Sequence, residues 1–291
     1  MKPFRYLAPI ISLLSYSETL AFPGLSHLLA PRFTNDNPAD FGNIKTFAAL
    51  GDSYAAGIGS GVVLTGDGDA KCSRYDGAYP VILNNAAFGG EPTFTFSACS
   101  GDLSKNVQEQ VTHLAWSSQD VISLSAGGND AFLSDVLSAC VFLASTQGKC
   151  DEALAKTKAV IDKELQSNID DLLSKVGAKL SKDGIIVYTL YAQFFNADTD
   201  ACSFQTWNFV SSVPGITGVF LTKELRKKLN DLVVEANKKI QAAITARTSD
   251  PKQPLNIVVV DWDKTVGDRK GRFCEEGEHM SVAKICTRAS H

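Results

Sequence analysis

The chain of 291 residues is poor in the groups that build metal and nucleotide sites. It has only four histidines, and none of its seven cysteines falls in a C-x-x-C pair. No Cys/His group has zinc spacing and no H-E-x-x-H occurs, so no metal is assigned. There is no P-loop, and Gly57-Ile58-Gly59-Ser60-Gly61 fails G-x-G-x-x-G because Val62 holds the last glycine's place. That stretch reads instead as a flexible loop. The G-x-S-x-G elbow is absent as well. No asparagine stands in an N-x-S/T sequon, which excludes N-glycosylation. With a formal charge of −4, the chain lacks the basic excess that draws nucleic acid. Past the first twenty or so residues no apolar run is long enough to span a bilayer.

What is present describes an exported globular protein. Hydrophobic residues make up 44% and charged residues 21%, ordinary for a packed domain. Lys2 and Arg5 precede an apolar run from Tyr6 to Leu14, and Thr19 and Ala21 are small residues at cleavage-site spacing. Residues 1–21 therefore read as a signal peptide, and the mature protein is expected to be secreted, extracellular and soluble. Cys72, Cys99, Cys140, Cys150, Cys202, Cys274 and Cys286 all lie beyond it. Disulfides are the expected use of cysteine there, and an odd number leaves one over. Residues 22–43, with Pro23, Pro31, Pro38 and Gly42, read as an extended leader, followed by one domain over 44–291.

Apolar runs at 47–50, 94–97, 121–125, 185–190 and 257–260 have the length and character of buried strands. Helical stretches at 103–115, 151–181 and 221–246 alternate with them. This is an α/β pattern with a central parallel sheet covered on both faces, and such sheets bind ligands at the carboxyl ends of their strands. Three strand ends carry unusual polar sequences: Gly51-Asp52-Ser53, Ser100-Gly101-Asp102 and Gly127-Gly128-Asn129-Asp130. Each alone is unremarkable; Gly-Asp-Ser is a common turn, and Asp130 reads as a helix cap. Together they offer a hydroxyl nucleophile, a backbone N–H on a glycine that a substrate can approach closely, and a carboxamide donor. Acyl transfer needs those parts.

Phe47–Gly57, Ser97–Asp102 and Val121–Ala131 resemble the first three sequence blocks of the SGNH hydrolases, the GDSL-type esterases and lipases. The spacing and cysteines look most like the secreted esterase branch of actinomycetes and fungi. The resemblance covers about residues 45–275. It implies a three-layer α/β/α sandwich of the SGNH-hydrolase, flavodoxin-like type. It implies Ser53 as nucleophile, with the Ser53 and Gly101 N–H groups and the Asn129 side chain as the oxyanion hole. It also implies the pairs Cys72–Cys99, Cys140–Cys150 and Cys202–Cys274, and no cofactor or metal. The expected partner is a small-molecule or lipid ester, met by a monomer with no nucleic acid and no membrane span.

A serine nucleophile needs a base. His27 lies in the leader, and His113 sits in a helix between Val111 and Leu114, where it reads as structural. The family's histidine stands near the C-terminus, but Lys270-Gly271-Arg272 fills one such position here and no His-Pro-Asn follows. Two readings stay open. Either the domain is incomplete at its C-terminus, cut short or shifted in frame, as an unpartnered Cys286 suggests; or His279, after Glu275, Glu276 and Glu278, or the terminal His291 serves. His279 is taken as the candidate base, against the plainer reading of a solvated residue in a charged loop. The leading expectation is a serine ester hydrolase working through an acyl-enzyme on Ser53. Its rival is a secreted SGNH-fold binding protein that lacks its base. Phe204, Trp207, Phe209, Val213 and Phe220 either line an acyl site or pack as core.

Overall fold

The computed structural model describes residues 41–90, 92–114, 118–143, 145–207 and 218–276. The signal segment, most of the leader, His27, His279, His291 and Cys286 lie outside them. The strands are β1 (Thr46–Gly51), β2 (Thr93–Phe96), β3 (Gln119–Ser125), β4 (Leu180–Thr189) and β5 (Ile257–Val260). The helices are α1 (Ser53–Ala56), α2 (Asp69–Cys72), α3 (Tyr79–Ile82), α4 (Ser104–Thr112), α5 (Leu133–Leu137), α6 (Gln147–Val160), α7 (Gln166–Gly177), α8 (Lys223–Thr248) and α9 (Asp263–Asp268). The chain divides into two compact units.

The first unit takes the chain up to Ala126, Ile169–Leu190 and Ala243–Val260, and holds all five strands. Their order is β2-β1-β3-β4-β5, with every neighbouring pair parallel. A central parallel strand has no solvent face, so its sequence is apolar throughout rather than alternating. Phe47, Ala48, Ala49 and Leu50 are accordingly fully buried, and every residue of β3 is buried. At the edge, β5 exposes Val259. A core of Ile44, Phe47, Phe88, Val121, Ile185 and Val187 packs against the sheet. Each such side chain contributes about 1.5–3 kcal/mol by burial. Phe41 stacks edge-on against Phe88 with centroids 5.3 Å apart, so packing begins inside the segment read as leader.

All five expected strands are present. β4 starts earlier than the sequence suggests, at Leu180 rather than 185. The register shifts between Gln119 and Val121, which pair with Leu180 and Ile185. The extra residues form a bulge whose polar members Lys182 and Asp183 face water. The stretch read as one helix over 151–181 is α6, a π turn at Ile161–Leu165, and α7. It ends at Gly177, where a Cβ would come within 2.5 Å of Leu255.

The second unit takes Gly127–Asn168, Tyr191–Ala242 and the chain from Asp261. Arg226 on α8 is fully buried, and its guanidinium donates to the carbonyls of Asn196, Thr199 and Leu221 and to Ser203 Oγ. Burial pulls its pKa down. One turn on, Asn230 closes a two-bond ring with the backbone of Phe195, and Asn237 does the same with Tyr191. These polar groups on one face of α8 anchor the connection that leaves β4. The bridges Cys140–Cys150 and Cys202–Cys274 are formed in this unit, and Cys72–Cys99 in the first.

Candidate active site

β1 ends in a residue that must be glycine. Gly51 has φ of +134°, and a Cβ there would lie 2.2 Å from the Ser125 carbonyl oxygen. The close approach puts the ends of β1 and β3 level, with Gly51 opposite Ser125. Asp52 is buried, donates its N–H to Ser125 O at 2.9 Å, and caps α1 by accepting from Tyr54 N at 3.0 Å. Ser53 is therefore the first residue of α1, half-buried, just past the carboxyl end of β1. The strand order is 2-1-3-4-5, and sheets of that order bind ligands at this end, between β1 and β3, where the winding reverses.

The second candidate loop belongs to the same unit. Cys99 N donates to Gly51 O at 2.9 Å, and the Cys72–Cys99 bridge holds the turn, with Ser100 N on Cys72 O at 2.9 Å. Closing that loop restricts the unfolded chain by roughly 3 kcal/mol. Gly101 has φ of +92°, and a Cβ added there meets nothing within 4 Å among the described residues. The glycine is thus required by its backbone conformation, and the space beside it is open. Gln110 on α4, a residue no sequence pattern singles out, accepts from Gly51 N at 2.9 Å and donates to Gly51 O at 2.9 Å and Asp102 Oδ2 at 2.7 Å. Tyr79 carries its hydroxyl into the buried layer with Ser123, Thr189 and Asp52. Burial pushes its pKa up to about 12; Thr189 and Ser123 oppose the rise and Asp52 adds to it.

Asn129 belongs to the second unit, four residues past the last residue of β3. Its turn is tightly bonded. Gly127 O and Gly128 O accept from Ala131 N and Leu133 N, and Gly128 N donates to Tyr191 Oη at 2.8 Å. A Cβ at Gly128 would lie 3.0 Å from the Tyr191 ring. Asn129 itself is half-buried. Asp130 does not cap the next helix: α5 begins at Leu133 with Phe132 in the cap position, because the glycine turn runs on for two residues more. Asp130 instead accepts from Asn168 Nδ2 at 3.3 Å.

One other expectation needs correction. Gly57–Gly61 is a packed turn, not a flexible loop: Gly57 caps α1 in the left-handed conformation, Ile58 and Ser60 are buried, and Ser60 Oγ donates to Gly77 O at 2.7 Å. His113 caps the end of α4 and is exposed. It is the one histidine among the described residues, and the candidate base His279 lies beyond them. The approach to that region is held by charge. Arg272 Nη2 pairs with Asp263 Oδ2 at 2.9 Å, and Glu275 Oε2 accepts from Asn196 Nδ2 at 2.7 Å. Of the apolar group, Trp207 is core, 5.3 Å from the Phe273 ring. Phe204 is 87% exposed. Phe220, half exposed, lines a cleft of about 370 Å³ with Val219 and Leu225. Phe209 and Val213 lie outside the described residues.

Residues 49–281 match the GDSL-like lipase/acylhydrolase family over most of the chain. The chain belongs to that family. It is 31% identical over 153 residues to Lipase 1 of Streptomyces coelicolor, covering 53% of this chain and 54% of that protein. To a lipase of Streptomyces rimosus it is 30% identical over 151 residues, covering 51% and 53%. The chain thus spans about half the length of the curated relatives it matches. Phospholipase A1 from Streptomyces albidoflavus NA297 superposes with a TM-score of 0.58 at 23% identity, covering 82% of this chain and 90% of that one. The extracellular lipase of Streptomyces rimosus gives 0.59 at 22% identity, covering 80% and 85%. Those two likenesses show the fold: an α/β architecture with a parallel sheet, as in the structures of this family.

Asp102 offers a check on the electrostatics of the Gly101 loop. Burial raises its carboxyl pKa, the Gln110 donor opposes the rise, and Glu109 adds to it. A carboxyl raised in the fold gives its stabilisation below the unfolded value and loses it as pH rises through the folded one. At neutral pH the ionised group therefore costs stability. Asp102→Asn keeps an oxygen for Gln110 and removes the charge. It is expected to raise the unfolding temperature at pH 8, with the gain shrinking toward pH 3.5. Thermal unfolding at the two pH values measures this; a lower temperature at pH 8 contradicts it.

Proposed function

We propose that this chain is a serine ester hydrolase that cleaves carboxylic esters through an acyl-enzyme on Ser53. The observation that carries the reading is the placement of Ser53, within the family match, at the carboxyl end of β1 where the sheet's winding reverses. The open space beside Gly101, in the same unit, supports a role for its N–H toward a substrate oxygen. Asn129 enters as the third donor through the family resemblance. Ser53 Oγ attacks the ester carbonyl carbon, and its proton passes to a histidine, to which we assign His279. The Ser53 and Gly101 N–H groups and the Asn129 carboxamide hold the oxyanion. The alcohol leaves with the proton, and water then releases the acid. The names of the relatives, lipases and a phospholipase, support an ester substrate. Three disulfides support a site of action outside the cytosol.

Purified protein is expected to hydrolyse p-nitrophenyl butyrate with saturable turnover. His279→Gln should lower kcat at least about 100-fold, because a missing general base costs that much or more. Full turnover in that variant moves the base to His291. A folded protein with no turnover on acetate, butyrate or longer esters overturns the hydrolase reading in favour of a binding protein.

A further inference from the structure

We infer that Gln110 is a positioning residue of the proposed ester-hydrolysing site, one buried carboxamide that fixes the strand end presenting Ser53 relative to the loop presenting the Gly101 N–H. This rests on the reading of Ser53 as nucleophile and Gly101 as oxyanion donor. All the residues concerned lie in the first unit.

The need for such a residue follows from the sheet. β2 pairs with β1 as far as Phe96, opposite Ala49. Gly51, two residues on, has no β2 residue opposite it. To Gly51 the chain after β2 returns one backbone bond, Cys99 N to Gly51 O at 2.9 Å. Gln110 supplies the rest: its Oε1 accepts from Gly51 N at 2.9 Å and its Nε2 donates to Gly51 O at 2.9 Å. The second Nε2 hydrogen reaches Asp102 Oδ2 at 2.7 Å. Gln110 is 7% exposed. Both hydrogens and the oxygen are used, so the carboxamide has a single allowed orientation. Turned over, its oxygen would face the Gly51 carbonyl and the Asp102 carboxylate.

The consequence for the site is geometric. Gly51 is two residues before Ser53, and Asp102 directly follows Gly101. The same planar amide therefore tethers the nucleophile's turn and the oxyanion loop. Donors in an oxyanion hole act only where they meet the developing charge, and a displacement of about 1 Å costs on the order of 100-fold in rate. Gln110 touches neither substrate nor the reacting atoms. It acts by holding two groups in register.

Gln110→Leu, close in volume, removes three hydrogen bonds. With p-nitrophenyl butyrate its kcat per site titrated by a fluorophosphonate is expected to fall about 30-fold or more, while KM stays within about threefold, the pattern of a lost transition-state contact. In ¹⁵N–¹H spectra of the full chain the Ser53 and Gly101 amide signals should both move. A folded Gln110→Leu protein with kcat within about twofold of the parent overturns the inference, since a purely structural role lowers the unfolding temperature and leaves kcat per titrated site unchanged. If Gln110→Leu does not fold, Asp102→Ala cuts the one bond to the Gly101 loop and leaves the ring on Gly51. A several-fold fall in its kcat supports the inference, and an unchanged kcat overturns it. If the parent protein itself neither turns over nor labels, the hydrolase reading fails, and the amide signals alone decide about Gln110: unmoved Ser53 and Gly101 resonances overturn it, and moved ones support it.

Discussion

Gly51→Ala is expected to destabilise the first unit by roughly 4 kcal/mol or more, at the far end of what single substitutions do. Three effects coincide at this position. The added Cβ would lie 2.2 Å from the Ser125 carbonyl oxygen and 3.0 Å from Ser125 N. Both are backbone atoms of a central strand and cannot turn aside as a side chain would. Relief requires β1 and β3 to part at their carboxyl ends, where the candidate site stands. The φ of +134° is open to glycine and strained for alanine, at a cost of about 1–3 kcal/mol. Finally, Gly51 carries the two-bond ring with Gln110, and any shift that relieves the clash strains those bonds. Unfolding followed by circular dichroism should show a loss of about 10 °C or more in the unfolding temperature, together with loss of turnover. A variant that melts within about 2 °C of the parent contradicts this account of the β1 end.

Ser53→Ala is expected to do the opposite, removing activity while sparing the fold. Among the described residues, the bonds of Ser53 come from its backbone: its carbonyl accepts from Gly57 N at 3.1 Å and Ile58 N at 3.3 Å. Its side chain is partly exposed and the α1 cap is the Asp52 carboxylate, so alanine leaves the helix start intact. The unfolding temperature should stay within a degree or two of the parent's, as for surface substitutions away from buried networks. Loss of the nucleophile removes the covalent route, and kcat with p-nitrophenyl butyrate should fall by at least about 10³-fold; what remains comes from binding and the oxyanion donors alone. Because the two substitutions lie two residues apart, comparing them separates the chemistry of the turn from its mechanics.

The parallel sheet was legible because a central strand buried on both faces leaves a short, uninterrupted apolar run. Phe47–Leu50 and Val121–Ser125 are such runs, and both are central strands. The three polar strand ends were legible as motifs, since glycine, aspartate, serine and asparagine cluster where the backbone turns sharply. What failed to show was anything set by long-range register. The bulge between Gln119 and Val121 depends on where β4 pairs, which local composition does not encode. Asp130 carried the look of a cap, but two preceding glycines extend the turn past it. Gln110 was invisible for the same reason: it reads as an ordinary helical polar residue, and its partner lies 59 positions away.

The most direct measurement is covalent labelling of the folded protein with a fluorophosphonate, followed by mass spectrometry of the peptides. A single adduct is expected, on Ser53, forming within minutes at neutral pH and absent from Ser53→Ala. No adduct on Ser53 in a protein folded by circular dichroism, or undiminished ester turnover in Ser53→Ala, would contradict the assignment of Ser53 as the nucleophile.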